Sequence, residues 1–248
     1  MNPRYRSFSG ALIAIFAVPV FLGLTACLPA VFPVPVGNPE KSRIDPDITG
    51  VWFDEDEEAF YMFQAYDKRT WILGVLDLYP SDSENCVAED RGAADENSDT
   101  EEAEIEPSPY DLLMTDLRNL GSDCFEGEYL PGVMKIWRTK LGGEWFMTWE
   151  PLMTFTADTG FQAGEWIVFR IDKSSKDQFS LHWIASDHPA WDLYDNAEEK
   201  DVKQRDVEKI IRKNAKDPSF YDESEGFTYQ RVLPEHYELI EDFIENNW

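Results

Sequence analysis

The chain has 248 residues, 43% of them hydrophobic, and a formal net charge of -27 at pH 7 from 22 Lys+Arg against 49 Asp+Glu. That balance argues against a nucleic-acid partner and against docking of a polybasic patch on an anionic membrane, because both depend on Lys and Arg meeting phosphate. The 35 aromatic residues and the apolar fraction supply a core, which excludes global disorder, and the length suits one ordinary domain or two small ones.

At the N-terminus, Arg4 and Arg6 precede an apolar run from Gly10 to Leu24 that Pro19 interrupts. The run is shorter than the ~20 residues of a comfortable membrane span and reads as a secretory signal. Its end, Leu24-Thr25-Ala26-Cys27, resembles a bacterial lipobox. The resemblance implies cleavage after residue 26, diacylglycerol on the Cys27 thiol and a membrane partner reached through that lipid. Leu28 in place of Asp after the cysteine implies the outer membrane, facing the periplasm. Pro29, Pro33, Pro35, Pro39 and Pro46 then block helix and central strand, so residues 27–46 are expected to form an extended tether and residues 47–248 a single β-rich domain.

Three cysteines leave an odd count in an oxidising compartment, but acylation of Cys27 leaves Cys86 and Cys124. Two readings stand: a disulfide, which would stabilise the fold by roughly 3–4 kcal/mol on the chain-entropy estimate, or two independent buried thiols. The compartment favours the first.

Strands are expected at 50–53, 59–66, 70–79, 133–139, 144–150, 165–171 and 178–185, with an eighth at 227–232, from their β-branched and aromatic content and the turn residues between them. Leu141-Gly142-Gly143 is the clearest hairpin signal. Alternation places Trp145, Met147 and Trp149 on one face, and Phe179, Leu181 and Trp183 on one face of a later strand. Two helices follow, at about 197–216 and 234–246. The first carries a capping pair, Asn196 and Glu199, and a stripe of Val207, Ile210, Ile211, Asn214 and Ala215. The second opens on Pro234 and carries Tyr237, Ile240, Phe243 and Ile244.

A run of sequential strands followed by helices gives a mainly β fold with C-terminal helices (α+β), an antiparallel meander closing into a barrel or half-barrel of about eight strands. Gly50-Val51-Trp52 resembles the G-x-W element that opens the first strand of lipocalins and related calycin barrels. The resemblance implies that Trp52 plugs one barrel end and that Arg231, in the last strand, packs over it. It covers three residues and the order of elements. The long insertion and the second terminal helix depart from a compact lipocalin.

The acids are clustered. Residues 54–58 are five consecutive acids, and the insertion 81–106 holds eleven acids against Arg91 alone. A meander puts both segments at one end of the sheet, with the tether entering at the other. Clustered carboxylates suit a weak divalent cation site. Asp45, Asp47, Thr49, Gly50 and Asp56 match part of an EF-hand loop, yet a proline tether precedes them and a strand begins inside them, so a true EF-hand is not expected.

No G-x-S-x-G, H-E-x-x-H or phosphate-binding glycine loop is present. The histidines are His182, His188 and His236. Ser186-Asp187-His188 holds triad residue types whose adjacency on an extended chain prevents a relay. His182 and His188 with Asp187 give a weak zinc alternative against ordinary surface histidines. The expectation is therefore a non-catalytic lipoprotein with no cofactor. It would hold a small apolar ligand among Trp71, Leu73, Trp145, Met147, Trp149, Phe179 and Trp183, unless these residues simply fill a dry core. The alternative is an envelope-assembly protein that turns its acidic loops toward a basic partner or divalent cations.

Overall fold

Apolar side chains point both inward and outward along most of the strands, so the sheet has a filled interior and an outer wall that must itself be covered. A computed structural model describes residues 30–81, 108–152, 164–192 and 202–247, with the backbone alone at 223–225 and 247. The strands are β1 (Val31–Phe32), β2 (Gly50–Asp54), β3 (Ala59–Ala65), β4 (Trp71–Pro80), β5 (Phe125–Leu141), β6 (Glu144–Pro151), β7 (Trp166–Asp172), β8 (Gln178–Ile184) and β9 (Tyr221–Arg231). The helices are α1 (Pro109–Leu120), α2 (Gln204–Asn214) and α3 (Tyr237–Asn247).

Strands β2 to β9 pair antiparallel in sequence order, and β9 returns to β2 through Trp52↔Arg231, Phe53↔Gln230 and Asp54↔Tyr229. The result is a closed eight-stranded barrel, in keeping with a calycin-like fold, and closure removes the exposed edges that a half-barrel would leave. Where β8 has diverged from β7, the short β1 takes up its lane through Val31↔Ile167 and Phe32↔Trp166.

The interior holds Trp52, Phe63, Trp71, Leu73, Ile136, Met147, Trp149, Ile167, Phe169, Phe179, Leu181 and Tyr229. Outside, Phe53, Phe60, Met62, Leu76 and Leu78 form a wall covered by α1 and α3. A second wall, with Phe146, Val168 and Ile184, is covered by α2 and the N-terminal segment. Tyr110 of α1 ties the first cover together: its hydroxyl accepts from the Leu233 N–H at 3.1 Å and lies 2.6 Å from His236 Nδ1. Among the described residues no helix is long and apolar enough to cross a membrane.

Several expectations are corrected. Residues 30–46 are not a free tether; they hold strand β1 and a short 3-10 turn at Pro39–Lys41. Phe32 and Val36 are buried, the Val36 carbonyl accepts from Trp137 Nε1 and Thr148 Oγ1 at 2.8 Å each, and Ser42 Oγ donates to the Arg138 carbonyl at 2.9 Å. The prolines keep regular elements here to a two-residue strand and one 3-10 turn, but the Phe and Val residues between them still gain by leaving water. The helix expected from about 197 starts at Gln204, because Lys203 is extended at φ -112° and ψ 135°; the capping pair Asn196 and Glu199 lies outside the described residues.

Helix α1 was not expected, although its signals are ordinary: Ser108 caps the Asp111 N–H, Pro109 follows, and Tyr110, Met114 and Leu117 are the buried face. Strand β5 starts eight residues earlier than expected. Pro131 and Gly132 read as breakers, but they occupy a bulge where the register jumps from Leu73↔Met134 to Val75↔Leu130. Gly132 supplies φ 65° there, and a bulge has no ladder bond for proline to break.

Candidate functional site

The two ends of the barrel are built differently. At the end where β2 begins, Gly50 has φ 135°, and a Cβ on it would lie 2.9 Å from Arg231 Nη1. The missing side chain is what admits the arginine. Arg231 Cζ lies 4.2 Å from the centroid of the Trp52 ring, a cation–π contact. The guanidinium also donates to the carbonyls of Thr49 (3.3 Å), Lys176 (3.2 Å) and Asp47. Ile48 is buried over the interior, and its carbonyl accepts from Trp52 Nε1 at 2.7 Å. Trp52 and Arg231 thus meet at this end, with residues 44–49 laid across them as a plug.

Asp45 and Asp47 belong to this plug and not to an ion-binding loop. Asp45 pairs with Arg138 at 2.6 Å, and Asp47 pairs with Lys173 at 2.5 Å. The Lys173 ammonium holds the Asp47 carboxyl below its ordinary value. Asp56 is at the far end of β2, so the partial EF-hand match does not form a loop. Among the described residues no group of three His, Cys, Asp or Glu side chains is placed to hold a metal.

At the opposite end the β2–β3 turn carries the acids 54–58, and β4 runs out at Pro80 beside it, since Ala59 pairs with both Asp54 and Asp77. The two strand ends that lead into the acidic segments therefore share this end. Residues 82–106 lie outside the described residues, as do Cys27 and Cys86; Cys124 is buried just before β5. Here the inward-facing residues Tyr61, Val75, Leu130, Trp183 and Phe227 are only partly buried. Near the closed end Trp52, Trp71, Leu73, Phe179 and Leu181 are 0–1% exposed. The interior thus grades from fully buried packing around Trp52 to partly buried aromatic rings at this end, which we call the mouth.

Around that mouth the rings are in contact. The Tyr61 and Tyr229 centroids are 5.0 Å apart, Trp183 and Phe227 5.6 Å, and Trp149 stacks on Phe227 at 6.2 Å. Among the described residues four buried side-chain polar atoms lack a hydrogen-bond partner, Trp149 Nε1, Tyr229 Oη, Asp54 Oδ2 and Trp166 Nε1, and the first three belong to residues of the barrel interior. Asp54 follows Trp52 by two residues and pairs with Tyr229 across the closing seam, so it too faces inward. Its other oxygen, Oδ1, accepts from the Asp56 and Glu57 N–H groups at 3.0 and 3.1 Å and holds the turn. Burial raises the Asp54 pKa above the usual carboxylate value. Burial, and then the carboxylates of Asp54, Glu57 and Asp77, raises that of Tyr61. Negative charge is thus gathered beside partly buried rings at this end.

The seven expected ligand residues divide. Trp71, Leu73, Met147 and Phe179 lie in the packed half, and Trp149 and Trp183 reach the open half. Trp145 does not join the interior. The β5–β6 hairpin overshoots the barrel, leaving this ring 39% exposed against Arg138 (4.4 Å) and Lys140 (5.5 Å). Tyr61, Phe227, Tyr229 and Asp54 escaped sequence reasoning. A two-residue alternation from Trp52 to Asp54 and along β9 could have found them.

The histidines form no relay with Ser186 or Asp187. His188 Nδ1 accepts from the Ala190 N–H at 3.1 Å while its Nε2 lies 3.9 Å from Asp217. His182 lies opposite Arg170 on the outer face. No family model, curated protein or solved structure matches the chain.

Proposed function

We propose that this chain is a lipid-anchored envelope protein whose barrel is a non-catalytic binding module for a small apolar ligand, taken up at the open end. The observation that carries the proposal is the pairing of partly exposed inward-facing aromatics with buried polar atoms that nothing satisfies. An unpartnered buried donor or acceptor costs about 1–3 kcal/mol, so its persistence in a core favours an occupant that completes it. The lipobox-like Leu24-Thr25-Ala26-Cys27 supports acylation of Cys27 and an outer-membrane location facing the periplasm. A Cys86–Cys124 disulfide would then fasten the acidic insertion to the base of β5.

The test is titration of the domain lacking residues 1–27 with a medium-chain alcohol such as decanol, followed by tryptophan fluorescence, because Trp149 and Trp183 line the mouth. Saturable quenching that Phe227→Ala weakens supports binding there. Absence of any change at micromolar to millimolar decanol would remove the proposal and leave the envelope-assembly reading, in which the acidic loops meet a basic partner or divalent cations.

A further inference from the structure

The open end carries a charge preference that an apolar pocket alone does not require. Asp54 is 0% exposed, faces the interior, and keeps Oδ2 buried without a partner while Oδ1 satisfies the turn. Among the described residues no Lys or Arg is paired with it. The cations near the barrel axis, Arg138, Lys173 and Arg231, are all engaged at the closed end. A carboxylate oxygen with no counter-charge destabilises the empty barrel, and beside it are the partly buried rings of Tyr61 and Phe227, packed on the buried Tyr229.

A positively charged nitrogen answers both features, since it donates to the orphan oxygen and lies favourably against aromatic faces. We infer that the ligand of the open end is a cationic amphiphile, an alkylamine-like molecule whose nitrogen sits against Asp54 Oδ2 and whose apolar body lies among the mouth aromatics. This inference rests on the ligand-binding reading above and adds the charge of the ligand. Tyr229, which pairs with Asp54 across the closing seam, and Trp149 add two further buried polar atoms without a partner, Oη and Nε1. Fatty acids are disfavoured, because their carboxylate would enter a site that already holds a buried negative group.

The experiment compares three probes of one chain length, decylammonium, decanol and decanoate, below their aggregation thresholds and at fixed ionic strength, using the domain lacking residues 1–27. Decylammonium is expected to bind roughly 10- to 100-fold more tightly than decanol, and decanoate more weakly than either. Asp54→Asn keeps an oxygen for the Asp56 and Glu57 N–H groups and should melt no lower than the wild type. In that variant decylammonium and decanol are expected to bind alike. Glu55→Gln, an exposed acid of the same turn, controls for overall charge.

Three results overturn the inference. They are decanoate binding as tightly as decylammonium in the wild type, an ammonium preference left intact in Asp54→Asn, and a loss of that preference in Glu55→Gln as large as in Asp54→Asn. In each case decanol binding stands and the apolar-ligand reading survives. Failure of all three probes to bind removes both.

Discussion

The two ends of this barrel use the same kinds of residue for opposite purposes. At the closed end, aromatic rings and charged groups are fully matched: Trp52 lies under Arg231, Trp71 Nε1 donates to Thr49 Oγ1 at 3.0 Å, and Asp45 and Asp47 face Arg138 and Lys173. At the open end Tyr229, Trp149 and Asp54 are as deeply buried, yet each leaves a polar atom unpaired. Full satisfaction stabilises and rigidifies, while incomplete satisfaction costs stability and is what a binding site looks like before its ligand arrives. The difference is therefore one of polar satisfaction along one barrel axis, complete at one end and incomplete at the other.

The largest effect that sharpens this comparison is at the plug. Trp52→Ala is expected to cost about 3–5 kcal/mol in denaturant unfolding, whereas Phe227→Ala, at a half-exposed mouth ring, is expected to cost less than half of that while weakening ligand binding. Equal losses at both positions would erase the contrast. Next, Arg231→Lys keeps the charge but loses the planar stack on Trp52 and part of the carbonyl contacts, for an expected loss of about 1–2 kcal/mol. Decanol affinity at the far end should be unchanged.

The acids of the two ends should also respond to pH with opposite signs. Asp54 has its folded pKa raised above the 3.8 of an ordinary Asp. The folded state then binds more protons than the unfolded one above that value, so stability is fullest below about 3.8 and is lost as pH rises through the folded pKa. Asp47 has its folded pKa lowered, so its contribution is present above 3.8 and is lost as pH falls through the folded pKa. Unfolding curves should therefore show Asp54→Asn gaining on the wild type as pH is raised from 4 to 7, and the deficit of Asp47→Asn, fully present at pH 5 and above, shrinking as pH is lowered from 5 toward 2. A common sign for the two variants would mean that the ends do not differ in charge matching. The smallest effect is at Glu55→Gln, expected to change stability by no more than about 0.5 kcal/mol.

Much of the fold was legible from residue order alone. The alternation in β6 and β8 and the Leu141-Gly142-Gly143 turn located the central strands, and the G-x-W element marked the first barrel strand. Helix α1 was equally legible from Ser108-Pro109 and the spacing of Tyr110, Met114 and Leu117, but its acidic neighbourhood masked it. The segment 30–49 was the hardest, because proline content reports which backbone conformations are barred and not whether the residues between them are buried. The candidate site was half visible: Trp149 and Trp183 were expected, Tyr61, Phe227, Tyr229 and Asp54 were not, and Trp145 was misplaced because alternation gives the face of a residue and not its depth.

By itself, then, the sequence determined composition, strand and turn periodicity, the acidic clusters and the glycine that admits Arg231, all of which are local properties of neighbouring residues. Only the tertiary structure decided that the meander closes, that the former tether plugs one end, and that Asp54 meets Tyr229 across the closing seam. Those contacts join residues up to 184 positions apart. Which inward-facing residue is dry and which is open to solvent depends on where the barrel's ends fall, a property of the closed sheet that no single strand contains.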